Sequence, residues 1–241
     1  DELTSHEDLR MVERGTTNSI LNSNYWVSYQ PGVMVLGTFM KDKTPLNYYL
    51  GVFNGSDRSV STDMNSGKEM VGRLEFKPVK GVQIGADYSM NKIDADNSAS
   101  AMGADLSIIQ DLNDNVKLIV EGEYVSATNI NSFVASVDTA KQTSEYAMGG
   151  YFGQALLRIK TDCKLFSTFE VGGKYENTDP RTDADQINDS YNTITGGIGF
   201  IFLPDNDARL QINMVHTSWE KPTPSLHLDS NILQIQLQVR I

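Results

Sequence analysis

Residues Asn231 to Ile241 read Asn-Ile-Leu-Gln-Ile-Gln-Leu-Gln-Val-Arg-Ile, and this stretch decides the fold. Leu233, Ile235, Leu237, Val239 and Ile241 alternate with Gln234, Gln236, Gln238 and Arg240. A side-chain period of two gives a strand with one apolar and one polar face. Lipid offers no partner to a backbone N–H or C=O, so only helices and closed barrels cross a membrane. A barrel that does so turns its apolar face outward and its polar face inward. The expectation is an all-β chain, an antiparallel up-and-down transmembrane β-barrel.

Working back from that strand, similar alternation predicts ten more, at about 32–41, 46–54, 69–77, 81–91, 101–110, 115–125, 146–159, 164–176, 191–202 and 208–217. The connections alternate in length. Residues 42–45, 78–80, 111–114, 160–163 and 204–207 are short and use the Pro, Asn and Asp that chain reversal favours. Residues 55–68, 92–100, 126–145, 177–190 and 218–230 are long. Short periplasmic turns and long outer loops are the pattern of outer-membrane barrels. With the last strand running inward, 32–41 also runs inward, so residues 7–14 are expected to supply a twelfth strand. The single domain then spans 1–241.

Parity within the strands separates the two faces. Met70, Leu74 and Phe76 oppose Arg73, Glu75 and Lys77; Ile84, Tyr88 and Met90 oppose Gln83, Asp87 and Ser89. Leu118, Val120 and Tyr124 oppose Lys117, Glu121 and Glu123, and Leu210, Ile212 and Met214 oppose Arg209, Gln211 and Asn213. A charge facing lipid near the midplane costs about 2–4 kcal/mol, so the charged face is the inner one. The expected wall cations are Arg73, Lys77, Lys117, Arg158, Lys160, Lys164, Lys174, Arg209 and Arg240, and the anions Glu75, Asp87, Asp105, Glu121, Glu123 and Glu170. Gln236 joins them by parity. Burying so many ions dry costs several kcal/mol each, so the interior is expected to hold water. The slight basic excess favours anions, unless the charges neutralise one another as a lattice. Tyr48, Tyr88, Tyr124, Tyr146, Tyr151 and Tyr175, near strand ends, suit an interfacial girdle or ordinary sheet packing.

Composition limits other classes. The chain has 241 residues, 39% of them hydrophobic, and a net charge of −11. No apolar run approaches the roughly 18–20 residues of a membrane helix. The acidic balance argues against a nucleic-acid partner. A lone Cys163 makes no internal disulfide, and no Cys/His grouping has zinc-site spacing, so no metal or cofactor is expected. His216, Ser218 and Asn231 share one face, as in an outer-membrane phospholipase, where histidine deprotonates serine and asparagine orients the ring. Spacing alone proves little, and no enzyme is expected.

Several segments resemble the phosphate-selective porin O and P family. These are Asp-Glu-Leu-Thr-Ser through Glu-Arg-Gly (Asp1 to Gly15), Asn-Tyr-Tyr-Leu-Gly-Val-Phe-Asn-Gly-Ser (Asn47 to Ser56), Gly67 to Pro78, Gly81 to Ser89, and Leu233 to Ile241. Family members end in an aromatic residue where this chain has Ile241. The opening motif lies well inside a family member, so the resemblance implies the C-terminal part of a larger barrel of about sixteen strands, or a shortened relative of twelve. It also implies passive diffusion of small anions, phosphate above all, through a trimeric pore in contact with outer-membrane lipid and lipopolysaccharide. Arg14 falls in the Glu-Arg motif and Arg73 in a matching strand, and both are expected to line the pore. Residues 16–31 are expected as an outer loop, with a constriction folded into the interior as the alternative. The competing role is a non-conducting accessory barrel, gripped by partners through loops 126–145 and 177–190.

Overall fold

The computed structural model describes residue 25 and residues 31–40, 44–55, 67–138, 140–182, 189–202, 208–221 and 228–239. Within them the chain is all-β. Eleven strands run in order: β1 Gly32–Phe39, β2 Leu46–Phe53, β3 Glu69–Phe76, β4 Val82–Lys92, β5 Ser98–Asp111, β6 Val116–Thr128, β7 Ala147–Lys160, β8 Thr168–Asp179, β9 Tyr191–Ile201, β10 Ala208–Trp219 and β11 Ser230–Val239. They form one antiparallel sheet in which each strand pairs with its neighbours in sequence. Among the described residues β1 pairs with β2 and β11 with β10 alone, so these two stand at the ends of the order. The expected strand at 7–14 lies outside the described residues.

Alternation fixes the register, because a slip of one residue turns every side chain to the other face. Arg73 stands across from Asp87, Gly85 from Asp105, Glu121 from Gln154, and Arg158 from Glu170. Gln211 and Gln236 are likewise partners across β10 and β11. The polar face is therefore continuous over the whole sheet.

Two expected boundaries are corrected. Residues 92–100 are not a long loop: β4 and β5 continue pairing to Lys92 and Ser98. The Asp94 carboxylate closes the turn by accepting from the backbone N–H of Asp96 and Asn97. Ser98 to Ser100 read as loop composition, but their small side chains suit a strand whose polar face is covered. The strand expected from residue 164 begins at Thr168 instead. Residues 161–167 form a connection held by Thr161 N–H to Ser167 O at 2.9 Å and Ser167 N–H to Ile201 O at 2.8 Å. Lys164 is thus in a turn and not on the sheet. At the same end Gly81 has φ +81°, and a Cβ there would lie 2.1 Å from the Ile109 carbonyl oxygen, so that turn needs glycine.

At the long-connection end, β6 leads into a short helix, α1 (Ile130–Ala135), then a 3-10 turn at Thr143–Tyr146. Asn129 caps α1 by accepting from Ser132 N–H, and its amide donates to Pro180 O at 3.2 Å. Phe133 packs edge-on to Tyr146, Lys141 sits over Phe133, and Arg181 sits over Tyr146. The connections after β6 and β8 are thereby fastened together. Tyr146 is spent in this cap, which corrects its expected place in a girdle.

Candidate functional site

Burial is inverted relative to a water-soluble domain. The wholly buried large side chains are Arg209, Gln211, Glu69 and Glu170 together with Met148. Leu50, Leu74, Ile84, Met102, Leu233, Ile235 and Leu237 are exposed. The polar face of the sheet is the covered one, and it carries the organised chemistry.

Its first cluster centres on Arg73. The guanidinium donates from Nε to Glu75 at 3.1 Å and from Nη1 to Asp87 at 3.0 Å. It also grips Asp105 with two bonds, at 2.6 and 3.1 Å, the fork geometry that makes arginine–carboxylate pairs strong. Glycine makes the room: a Cβ on Gly85 would lie 2.1 Å from Asp105 Oδ2 and 2.5 Å from Arg73 Nη2. Bonds from Tyr49 and Asn47 to Glu75, and from Thr38 to Asn47, carry the network back to β1. One hydrogen-bonded chain thus crosses β1 to β5.

A second cluster lies on β7, β8 and β10. Glu170, wholly buried, accepts from Arg158 Nε at 2.7 Å and from Arg209, itself wholly buried. Gly199 stands under Glu170, where a Cβ would approach Oε2 to 2.9 Å. Lys174 and Glu176 form a third, buried pair at 2.6 Å. Gln154 donates to Glu121. Lys117 approaches Asp111 only to 3.6 Å at an open strand end, a surface pair worth little.

Of the expected wall residues, Arg73, Glu75, Asp87, Asp105, Lys117, Glu121, Glu123, Arg158, Lys160, Glu170, Lys174, Arg209 and Gln236 share the polar face. Lys77 lies beyond the end of β3 and is exposed. Arg14 and Arg240 lie outside the described residues. Glu69 and Glu176 also belong to this face, buried at strand ends, and strict parity in their own strands already marks them. Adding those two acids and removing Lys77 and Lys164 reverses the expected balance: the described polar face carries more carboxylates than cations.

Tyr25, expected on an outer loop, is buried instead against Ala99, Ala101, Val125, Ala127 and Met148 on the polar face. Its hydroxyl meets Ser89 Oγ at 3.1 Å, and Ser89 donates to Glu69 at 2.6 Å. Burial pushes the Tyr25 phenol well above its ordinary range. No pattern in residues 16–31 marks it.

On the opposite face, Tyr88, Tyr124, Tyr151 and Tyr175 are exposed toward the long-connection end, Tyr124 directly across from Tyr151 and the Tyr151 and Tyr175 rings 6.1 Å apart. Tyr48 stacks on Phe39 toward the other end. His216 Nδ1 meets Asn231 Oδ1 at 3.0 Å, also on this face. Among the described residues no hydrogen bond joins Ser218 to that ring, and no group of His, Cys, Asp and Glu has metal-site geometry.

Compared with protein-family models, curated proteins and solved structures, the chain matches none.

Proposed function

We propose that this chain is a transmembrane β-barrel of the bacterial outer membrane and forms a water-filled pore for passive diffusion of small hydrophilic solutes. The observation that carries the reading is the inverted burial. A leucine, isoleucine or methionine left in water forgoes about 1.5–3 kcal/mol each. A sheet that leaves a whole face of them exposed is stable only where that face meets lipid. The aromatic belt fits the same placement, since tyrosine suits the boundary between hydrocarbon and headgroups. The polar face excludes a dry core: Arg73, Arg158, Arg209 and their carboxylates demand solvation or dense pairing, and both are available along an aqueous channel.

Closure of the sheet into a barrel follows from the same physics, because an open edge in lipid leaves backbone groups unpaired. Solute choice is set by the wall. Arg73 is held by three carboxylates and Arg209 by Glu170, so neither guanidinium stands ready to strip and pass phosphate. A general pore fits these contacts better than the phosphate carrier implied by the family resemblance.

The test is conductance of the purified full chain in a planar bilayer. Stepwise ohmic channels support the pore. A folded, inserted barrel without current overturns it and puts the accessory-barrel role first.

A further inference from the structure

We infer that the short turns anchor the barrel in the bilayer, their exposed apolar side chains lying in the headgroup–acyl boundary of the leaflet on that side. This rests on the membrane placement proposed above and assigns the depth at which the sheet sits. The connections β1–β2, β3–β4, β5–β6, β7–β8 and β9–β10 are the short ones. Each carries a large apolar residue, although chain reversal itself asks for Gly, Pro, Asn or Asp. These are Met40, Val79, Leu112 and Leu165, each more than half exposed, and Phe202, 37% exposed. Scattered singly, such residues would need no explanation, but these share one rim and continue the apolar face.

Strand length places that rim at the membrane boundary. Tyr88, Tyr124, Tyr151 and Tyr175 mark the boundary at the other end. Their row steps down the register from β4 to β8, as a level belt on tilted strands does. From Tyr124 the strand runs eight residues to Val116, whose carbonyl accepts from Leu112 N–H at 2.8 Å. Tyr88 lies nine residues from Val79, and Tyr175 ten from Leu165. At about 3.3 Å per residue and a tilt near 40°, eight to ten residues rise about 20–25 Å, the height of the apolar band. The band measured from the tyrosines therefore ends at the turns. Beyond the tyrosines the same face becomes polar, with Ser126 and Thr128 on β6 and Asn177 and Asp179 on β8, so shifting the band outward would bury them. Lys77, Lys80 and Lys164 stand exposed beside the turns, where their amines reach headgroup phosphates while their stems stay at the boundary.

The experiment reads depth. Val79→Cys, Leu112→Cys and Leu165→Cys, each in a Cys163→Ser full chain, carry a bimane fluorophore in lipid vesicles. Quenching by lipid brominated near the acyl carbonyl is compared with quenching by aqueous iodide. Ile235→Cys, on the apolar face of β11, and Val137→Cys, 98% exposed in the connection after β6, are the references. Side chains seated about 5–10 Å into the boundary meet those bromines, so the turn labels should lose at least about half their emission to bromolipid, while Val137→Cys responds to iodide alone. Turn labels quenched only by iodide, with Ile235→Cys still quenched by bromolipid, overturn the anchor and leave the barrel in the membrane. No bromolipid quenching at Ile235→Cys either overturns the membrane placement and the anchor together. Native Cys163, exposed in the Leu165 turn, carries the same label in the unmodified chain and keeps the test decisive should a variant fail to insert. Bromolipid quenching there supports the anchor, and iodide quenching alone overturns it.

Discussion

Glu170→Gln removes one negative charge from between two guanidiniums. Glu170 and Arg209 are both wholly buried, and Arg158 Nε lies 2.7 Å from the carboxylate. Breaking a buried ion pair by neutralising one partner costs about 3–5 kcal/mol, because the remaining charge stays buried uncompensated. Glutamine keeps a carbonyl for one of the two donors, which puts the expected loss near the lower end, about 3 kcal/mol. Adding Arg209→Met removes the stranded cation, so the double variant should recover about 1–2 kcal/mol of that loss. The assay is urea unfolding of the chain in lipid vesicles, followed by tryptophan fluorescence, with the four species of the cycle compared at equal slope. A loss below about 1 kcal/mol in Glu170→Gln would mean that the cluster is solvated like a surface pair, and would refute the close-packed arrangement. A double variant no better than the sum of the two singles would refute the direct coupling of Glu170 to Arg209.

Three further outcomes are expected. Gly172→Ala, whose Cβ would lie 2.3 Å from the Ala155 carbonyl oxygen, should cost about 1–3 kcal/mol in the same unfolding assay, whereas Gly153→Ala and Gly196→Ala, with open space around them, should be neutral or slightly stabilising. Tyr25→Ala should raise single-channel conductance, because it removes a ring packed on the polar face; an unchanged conductance would place Tyr25 away from the solute path. The Asn97 side-chain amide, then the backbone N–H groups of Asp96 and Asn97, hold the Asp94 carboxyl below the usual carboxylate range. A lowered folded value means that the turn's stabilisation is full above the unfolded value and is lost as pH falls through the folded one. The protection factor of the Asn97 amide, its exchange rate relative to an unstructured chain at the same pH, should therefore fall in acid, and Asp94→Asn should abolish that pH dependence.

The strands were legible because a sheet with one apolar and one polar face forces a strict period of two, and Leu210-Gln-Ile-Asn-Met214 admits no helical reading. Register followed from the same alternation. Where legibility failed, the reason was local. Ser98-Ala-Ser100 lacks the bulky side chains that signal a strand, yet a small residue such as Ala99 is what the space beneath Tyr25 accepts. Leu165 and Phe166 extended an apolar pattern ahead of the start of β8, although Leu165 stands exposed in the turn. For the polar face, parity identified Arg73, Glu75, Asp87, Arg158, Glu170 and Arg209, but the pairing scheme depends on which glycine lies beneath which carboxylate. Gly85 under Asp105 and Gly199 under Glu170 become meaningful only once the strands are in register. Net charge was the least legible property, because acids such as Glu69 and Glu176 sit at strand ends where turn and wall are hard to separate.

The central claim, a sheet with lipid on its apolar face and water on its polar one, is tested most directly by cysteine accessibility along β11, whose polar side chains are only half-buried. Single cysteines at residues 233 to 237 would be placed in a Cys163→Ser background in lipid vesicles and treated with a membrane-impermeant thiol reagent. We predict protection at positions 233, 235 and 237 and labelling at 234 and 236. Uniform labelling, or protection on the opposite parity, would contradict it.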